Sequence, residues 1–148
     1  MKIINSFNGD FGFLSNFSPH SFVDRWGIEW QTSEHYYQAA KTNNRTHKVI
    51  IGRCTTPGKA KKAGQKVELV ENWKNKKVSV MYRVLKMKFD QNLDIQQKLK
   101  STFEYKLIEG NYWHDNYWGN CFCDKCKKII GQNYLGNILM IIRDGYNV

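Results

Sequence analysis

The hydrophobic positions of the chain recur at helical spacing in two long segments. One runs from Asn72 to about Phe89, with lysines between the apolar residues, and the other runs from about Asn133 to Arg143. Apolar residues three and four positions apart form one face of a helix, so both segments predict amphipathic helices. The predicted buried faces consist of Trp73, Val80, Met81, Val84 and Leu85 in the first helix, and Leu135, Ile138, Leu139 and Ile142 in the second.

Capping residues mark shorter helices. Thr56 is followed by Pro57, a capping hydroxyl and then proline at the first helical position, which predicts a helix that ends near Gly64. Either Thr32 or Ser33 can cap a helix that runs to about Thr42. A further short helix is predicted over 93–99.

Strand signals are short and scattered. The fragments "IIN", "FVD" and "GIEW" are β-prone and are broken by turn residues, and "FEYKLIE" alternates as a strand does. Residues 110–132 are predicted to form a long irregular loop, which in a small domain is more often functional than filler. No repeat, linker or low-complexity tract divides the chain. The expected fold is α+β: a single helix-rich domain over residues 1–148 with small β-strand elements.

Charge narrows the choice of partners. The net charge is +10, and the basic excess is concentrated in "PGKAKKAGQK", "NWKNKKVSVMYRVLKMK" and "CDKCKK". A charge of this size attracts polyanions, so nucleic acid or another phosphate-bearing ligand is one interpretation. A basic surface that is simply well solvated is the other.

Cysteine usage bears on location and metal binding. "MKIINSFNGD" lacks the apolar core of a signal peptide, and no stretch has the length of a membrane span, so a cytoplasmic location and reduced thiols are expected. Cys121, Cys123 and Cys126 form a C-x-C-x2-C motif, which suits structural zinc, free thiols or a redox role. Zinc needs a fourth ligand, which His114 or Cys54 can supply.

The stretch "QTSEHYYQAAK" concentrates chemically active side chains. In a helix, Glu34, Gln38 and Lys41 lie four and seven positions along one stripe, with Tyr37 beside it. A solvated helix surface and a catalytic face both fit this pattern. The helix dipole lowers the pKa of a first-turn glutamate, so an acid role for Glu34 requires burial or a nearby anion. His35 points about 100° away from Glu34 on a helix and is expected to be packed rather than catalytic.

Six segments in order carry a family resemblance. They are "FGFLSNFSPHSF", "QTSEHYYQAAK", "TTPGKAKKAG", "MKFDQN", "LIEGNYWHDNYWG" and "GQNYLGNILMIIR". Their succession resembles the YbiA-like family, also called NADAR, from about Phe7 to Arg143. The resemblance implies an N-glycosidase that needs no cofactor for catalysis. Two activities are associated with the family: cleavage of phosphorylated riboflavin-pathway intermediates, and removal of ADP-ribose from the exocyclic amine of guanine in nucleic acid.

The resemblance also implies roles for individual residues. Glu34 and Asp115 are the expected catalytic carboxyl groups, and Lys41 either holds a phosphate or attacks C1 of the ring-opened sugar to form a Schiff base. Trp118 is expected to stack on the base or sugar, and backbone amides near Gly131 and Asn133 to bind an anion. The full expected substrate-binding set is Ser15, Asn16, Phe17, Tyr37, Gln38, Trp118, Gly119, Gly131 and Asn133.

The charge of +10 favours ADP-ribosylated guanine in nucleic acid as the substrate. A phosphorylated riboflavin-pathway intermediate, which is a ribosyl-phosphate small molecule, is the alternative, and a non-catalytic ADP-ribose or nucleic-acid-binding module is the rival from another class. No membrane partner is expected.

Overall fold

The computed structural model describes residues 1–148 and divides them into two compact units. Unit 1 joins residues 1–15 to residues 93–148, and unit 2 consists of residues 16–92. Six α-helices and one 3-10 helix predominate over six strands of two or three residues. The α+β fold class with small strand elements is confirmed, whereas the single domain over 1–148 stays a prediction. None of the helices combines the length and apolar character that a membrane span needs.

Thirteen elements follow one another along the chain. In order they are β1 (Lys2–Ile4), the 3-10 helix (Gly9–Leu14), β2 (Phe22–Val23), β3 (Glu29–Trp30), α1 (Ser33–Ala39), α2 (Arg45–Gly52), α3 (Pro57–Gly64), α4 (Trp73–Gln91), α5 (Leu93–Lys100), β4 (Tyr105–Leu107), β5 (Gly110–Asn111), β6 (Asn120–Cys121) and α6 (Tyr134–Tyr146).

Unit 2 is built around α1. Helices α2, α3 and α4 all contact it, and the antiparallel pair β2–β3 lies beside it. The ring of Tyr36 packs against Phe22 and Trp30, with ring centroids 6.0 and 5.3 Å apart. The predicted apolar face of α4 is buried as expected. Because three helices surround α1, six of its seven residues are buried, and the interpretation of α1 as a solvated surface helix is wrong.

Unit 1 contains two small parallel sheets and three helices. Strand β1 pairs with β4, where Lys2 is opposite Tyr105, and β5 pairs with β6, where Asn111 is opposite Cys121. Helix α6 packs on β4 and α5. The buried guanidinium of Arg143 donates from Nη1 to the carbonyl oxygens of Thr102 and Tyr105 at 2.8 and 2.7 Å. Arg143 therefore holds the start of β4 against the last turn of α6.

The capping signals located helix starts well. Thr32 and Thr56 are the N-caps of α1 and α3. Each hydroxyl oxygen accepts from the backbone amide three residues later, that of His35 or of Lys59. Helices α4 and α6 extend two and three residues beyond the expected ends, at Gln91 and Tyr146, and α1 ends earlier, at Ala39. Helix α2 was not predicted, since two of its apolar residues stay exposed and blur the helical pattern. The expected loop over 110–132 contains β5 and β6.

Candidate functional site

The N-terminus of α1 is held by side chains and backbone from the preceding segment. The Thr32 hydroxyl accepts from the His35 amide at 3.2 Å, and the Asn16 carbonyl accepts from the Glu34 amide at 3.1 Å. The Ser33 hydroxyl donates to Oδ1 of Asn16 at 2.9 Å. Asn16, an expected substrate-binding residue, thus fixes the position of the turn that carries Glu34.

Glu34 has the environment that an acid role requires. Its side chain is buried, and Oε1 accepts from Nε2 of Gln38 at 2.7 Å. Burial raises the pKa of Glu34 above its ordinary value of 4.5, although the Gln38 hydrogen bond and the cations of Lys61 and Lys41 act in the opposite direction. Because burial prevails, more of this carboxyl carries a proton near neutral pH than in an exposed glutamate. Sequence reasoning identified the need for burial, and the surrounding helices supply it.

Gln38 owes its position to a glycine on α3. Its Oε1 accepts no hydrogen bond and is buried against Gly64 at the end of α3. A Cβ atom at Gly64 would lie 2.0 Å from Oε1 and 2.8 Å from Cδ of Gln38. Gly64 therefore leaves the space in which the Gln38 amide reaches Glu34. From the sequence alone, this glycine was predicted only to lie near the end of a helix.

Lys41 lies just after α1 and is partly buried. Burial lowers the pKa of Lys41 below its ordinary value of 10.5; the cations of Lys61 and Lys77 lower it further, and Glu34 opposes the shift. Lys41 forms no salt bridge with Glu34, so the two groups act on each other through space. A lowered pKa increases the neutral, nucleophilic fraction of the amine.

Tyr37 and two further lysines complete the surroundings of Lys41. Nζ of Lys41 lies 5.6 Å from the centroid of the Tyr37 ring. Lys61 on α3 and Lys77 on α4 were missed as site residues, although both lie in basic segments of the sequence. Their influence on Glu34 or Lys41 indicates a cationic environment suited to a phosphate group.

His35 is fully buried, and both ring nitrogens have partners. Nδ1 lies 2.7 Å from the Thr32 hydroxyl and Nε2 lies 2.9 Å from the carbonyl oxygen of Cys54. Since a carbonyl only accepts, Nε2 carries a proton and donates it to the Cys54 carbonyl. The expectation of a packed histidine is confirmed.

The Asp115 carboxylate organises a turn in unit 1. Oδ1 accepts from the amides of Tyr117 and Trp118 at 3.0 and 2.9 Å. The buried side chain of Asn111 accepts from the Asp115 amide at 3.1 Å and donates to the Asp115 carbonyl at 2.7 Å. Oδ1 of Asp115 therefore has a structural role, and the catalytic role of Asp115 stays a prediction.

The loop that contains Trp118 and Gly119 is joined to the start of α6. The amides of Asn133, Tyr134 and Leu135 donate to the carbonyl oxygens of Gly119, Tyr117 and Trp118, respectively, at 2.9–3.2 Å. These amides are paired within unit 1, so in this arrangement the Asn133 amide is not available to the anion that the sequence suggested. The Gly131 amide is paired as well, donating to Oδ1 of Asn120 at 2.6 Å.

The side chains of Asn133 and Trp118 also make contacts within unit 1. The Asn133 side chain is buried, accepting from the Glu109 amide at 3.0 Å and donating to the Leu107 carbonyl at 2.8 Å. The Trp118 ring is half-buried and meets the Tyr117 ring edge-on, with centroids 5.0 Å apart. Asn133 thus has a structural role, and stacking of Trp118 on a substrate stays a prediction.

Ser15 and Phe17 flank the division between the two units. The Ser15 amide donates to the Gly12 carbonyl at 3.0 Å and closes the 3-10 helix. The Phe17 side chain is 45% exposed. Exposure of an aromatic ring is compatible with the expected stacking on a ligand.

The three cysteines of the C-x-C-x2-C motif converge on His114. Their sulfur atoms and a ring nitrogen of His114 all lie within 4.8 Å of one another. The thiol of Cys54, in unit 2, instead donates to the carbonyl of Ile50 at 3.3 Å. Of the two candidates for a fourth ligand, His114 is therefore the one at the cluster.

A cavity of about 350 Å³ opens beyond the end of α1. Thr42, His47, Glu68 and Glu71 are among the residues that line it, and neither Glu34 nor Lys41 does. We place the candidate site at Glu34 and Lys41, whose pKa values are shifted, rather than at this cavity. Catalysis requires reactive groups, and a cavity does not supply them by its volume alone.

Known proteins resemble this chain over nearly its whole length. The family model of the NADAR domain matches residues 5–146. The N-glycosidase YbiA of Escherichia coli K12 is 36% identical over 147 residues, covering 96% of this chain and 87% of the relative. The chloroplastic riboflavin biosynthesis protein PYRR of maize is 36% identical over 149 residues, covering 90% of this chain and 23% of the relative.

The solution NMR structure of E. coli YbiA superimposes with a TM-score of 0.84 at 34% identity, covering 99% of this chain and 85% of that one. The chain belongs to the NADAR family. The resemblance inferred from its six ordered segments is thereby confirmed.

Proposed function

We propose that the protein is a hydrolase of N-glycosyl bonds in which Glu34 transfers the proton. The buried Glu34 carboxyl, with its raised pKa, is the observation that carries the proposal. Cleavage of a ribosyl C1–N bond builds positive charge on the sugar, and the departing amine must gain a proton. A protonated Glu34 donates that proton, and the carboxylate that remains takes one from the attacking water.

Gln38 and the lysines support this cycle. Nε2 of Gln38 orients the Glu34 carboxyl through its 2.7 Å hydrogen bond and stabilises the carboxylate that forms on proton transfer. The cations of Lys41, Lys61 and Lys77 suit the phosphate of a ribosyl-phosphate or ADP-ribosyl substrate.

Two roles for Lys41 are distinguishable by experiment. The lowered pKa supports the nucleophilic role, in which the neutral amine attacks C1 of the ring-opened sugar, the amine of the base leaves C1 with a proton, and water then hydrolyses the resulting Schiff base. Borohydride reduction during turnover then traps a sugar on wild-type protein and none on Lys41→Arg, which keeps the charge but is not nucleophilic. If Lys41 only holds a phosphate, no adduct is trapped and Lys41→Arg retains most activity.

We propose ADP-ribosylated guanine in nucleic acid as the substrate. The support is the net charge of +10, because a large basic surface benefits binding to a polyanion more than binding to a small metabolite. The second candidate, a phosphorylated riboflavin-pathway intermediate, is supported by the similarity to a maize protein named for riboflavin biosynthesis. A comparison of kcat/KM for the two substrates decides between them. If the substrate is a nucleic acid, kcat/KM for it should fall steeply as the salt concentration is raised.

Substitution of Glu34 tests the catalytic proposal itself. Glu34→Gln keeps the shape but removes the exchangeable proton, so kcat should fall by about 10²–10⁴-fold while substrate binding is retained. Glu29→Gln, at an exposed glutamate of the same unit, is the matched control and should leave kcat unchanged. Wild-type protein that binds both substrates and releases product from neither would instead identify a binding module.

A further inference from the structure

We propose that His114, Cys121, Cys123 and Cys126 together bind one structural Zn²⁺ ion. The site lies within unit 1 and uses none of the residues assigned to proton transfer. It is therefore independent of the proposed glycosidase activity. Three thiolates and one imidazole are a common ligand set for structural zinc in proteins.

Distances between the donor atoms match the edges of a tetrahedral zinc site. Nδ1 of His114 lies 3.3 Å from Sγ of Cys123, 3.3 Å from Sγ of Cys126 and 3.9 Å from Sγ of Cys121. Zn–S bonds of about 2.3 Å and Zn–N bonds of about 2.0–2.1 Å at tetrahedral angles separate nitrogen and sulfur by about 3.5 Å. The observed values lie on both sides of this separation.

Hydrogen bonding alone does not account for the convergence. Nδ1 of a neutral imidazole has one lone pair or one proton, so it serves a single hydrogen bond well. Three sulfur atoms nevertheless lie within 3.9 Å of that nitrogen. A shared cation satisfies all four donor atoms at once, which is the arrangement their positions favour.

The backbone around the cluster is built to hold it. The His114 amide donates to Sγ of Cys121 at 3.3 Å, as amides commonly do to metal-bound sulfur. The Cys121 amide donates to Oδ1 of Asn116 at 2.9 Å, and the Cys126 amide to the Cys123 carbonyl at 3.1 Å. His114 has φ of +69°, a left-handed conformation that is uncommon for a residue with a Cβ.

Four protein ligands leave no open position, so the ion is structural rather than catalytic. Three thiolates and Zn²⁺ sum to one negative charge, which the exposed lysines of the "CDKCKK" segment offset. The ion joins His114 to Cys126 across the turn that carries Asp115 and Trp118. Its loss should therefore loosen that turn.

Metal analysis of the full chain, purified without chelator, tests the site directly. We expect about one zinc ion and no iron per chain by plasma mass spectrometry. Replacement by Co²⁺ should give the intense visible absorption of a tetrahedral thiolate site. Cys123→Ser should lose most of the zinc, and the matched control Cys54→Ser should keep all of it.

Stability supplies a second readout that does not depend on activity. A strong chelator should lower the Tm of wild-type protein, added zinc should restore it, and the Tm of Cys54→Ser should respond in the same way. If Cys123→Ser does not fold, metal content and the cobalt spectrum of the wild type decide alone. Sub-stoichiometric zinc, bound iron in its place, or equal zinc loss in Cys54→Ser would overturn the proposal.

Discussion

Replacing Gly64 with alanine tests whether α3 determines how the Gln38 amide meets the Glu34 carboxyl. The added Cβ would lie 2.0 Å from Oε1 and 2.8 Å from Cδ of Gln38, so the amide must move. Movement of the amide breaks the 2.7 Å hydrogen bond from Nε2 to Glu34. One methyl group on a neighbouring helix therefore disturbs the proposed proton donor without touching it.

The expected loss of stability follows from three contributions. Glycine to alanine within a helix gains about 0.5–1 kcal/mol. Overpacking a buried site costs about 1–3 kcal/mol, and a buried acceptor that loses its donor costs about 1–3 kcal/mol more. The free energy of unfolding should therefore fall by about 1–5 kcal/mol. Because the Gln38 hydrogen bond lowers the pKa of Glu34, that pKa should also rise further in Gly64→Ala.

Urea unfolding at constant m-value measures the first effect, and NMR titration of the Glu34 carboxyl carbon measures the second. Gly58→Ala on the same helix is the matched control, since its nearest neighbour would be the Thr56 hydroxyl at 3.9 Å. Gly58→Ala should be neutral or slightly stabilising. Equal stability of the two variants, with an unchanged Glu34 pKa, would refute the assigned role of Gly64.

Three further predictions concern pH, a buried cation and a second glycine. Because folding raises the pKa of Glu34, the folded chain keeps the Glu34 proton above pH 4.5, where the unfolded chain has begun to lose it. The free energy of unfolding should therefore fall as pH rises from 4.5 to the folded pKa, and Glu34→Gln should flatten this decline in urea midpoints measured against pH. Arg143→Met removes the guanidinium donor from the Tyr105 carbonyl oxygen, whereas the Thr102 carbonyl oxygen still accepts from the Tyr105 amide, so the change should cost about 1–3 kcal/mol in urea unfolding. Arg83→Met, at an exposed arginine, should cost little. Gly119→Ala places a Cβ 1.9 Å from the Glu109 carbonyl oxygen and should lower Tm, whereas Gly12→Ala, with nothing within 4 Å, should not.

Local rules predicted the parts of the fold that local interactions determine. The apolar face of α4 and the cap Thr56 depend on residues within a few positions of one another and were predicted from the sequence, and Thr32 was one of two predicted caps for α1. Helix α2 escaped prediction although its N-cap, Asn44, accepts from the His47 amide. Its exposed apolar residues weakened the periodic pattern that a capping signal needs for support.

Burial of the site lay beyond local rules. Nothing within "QTSEHYYQAAK" indicates that three helices surround α1, so the pattern alone left open whether Glu34 lies on a solvated surface or on a catalytic face. Hydrogen bonding at the start of α6 also lay beyond local rules. A helix N-terminus ordinarily offers amides to an anion, but carbonyl oxygens from residues 117–119 already pair with these amides. Only the tertiary structure reveals that pairing.

The order of the two units along the chain has a consequence for how the protein assembles. Residues 16–92 form unit 2 without interruption, whereas unit 1 needs β1 and its partner β4, which are separated by about a hundred residues. A ribosome therefore delivers everything unit 2 requires long before β1 finds its neighbour. Since contacts distant in sequence form late, the amides of β1 should be among the last to gain protection from hydrogen exchange during synthesis or refolding.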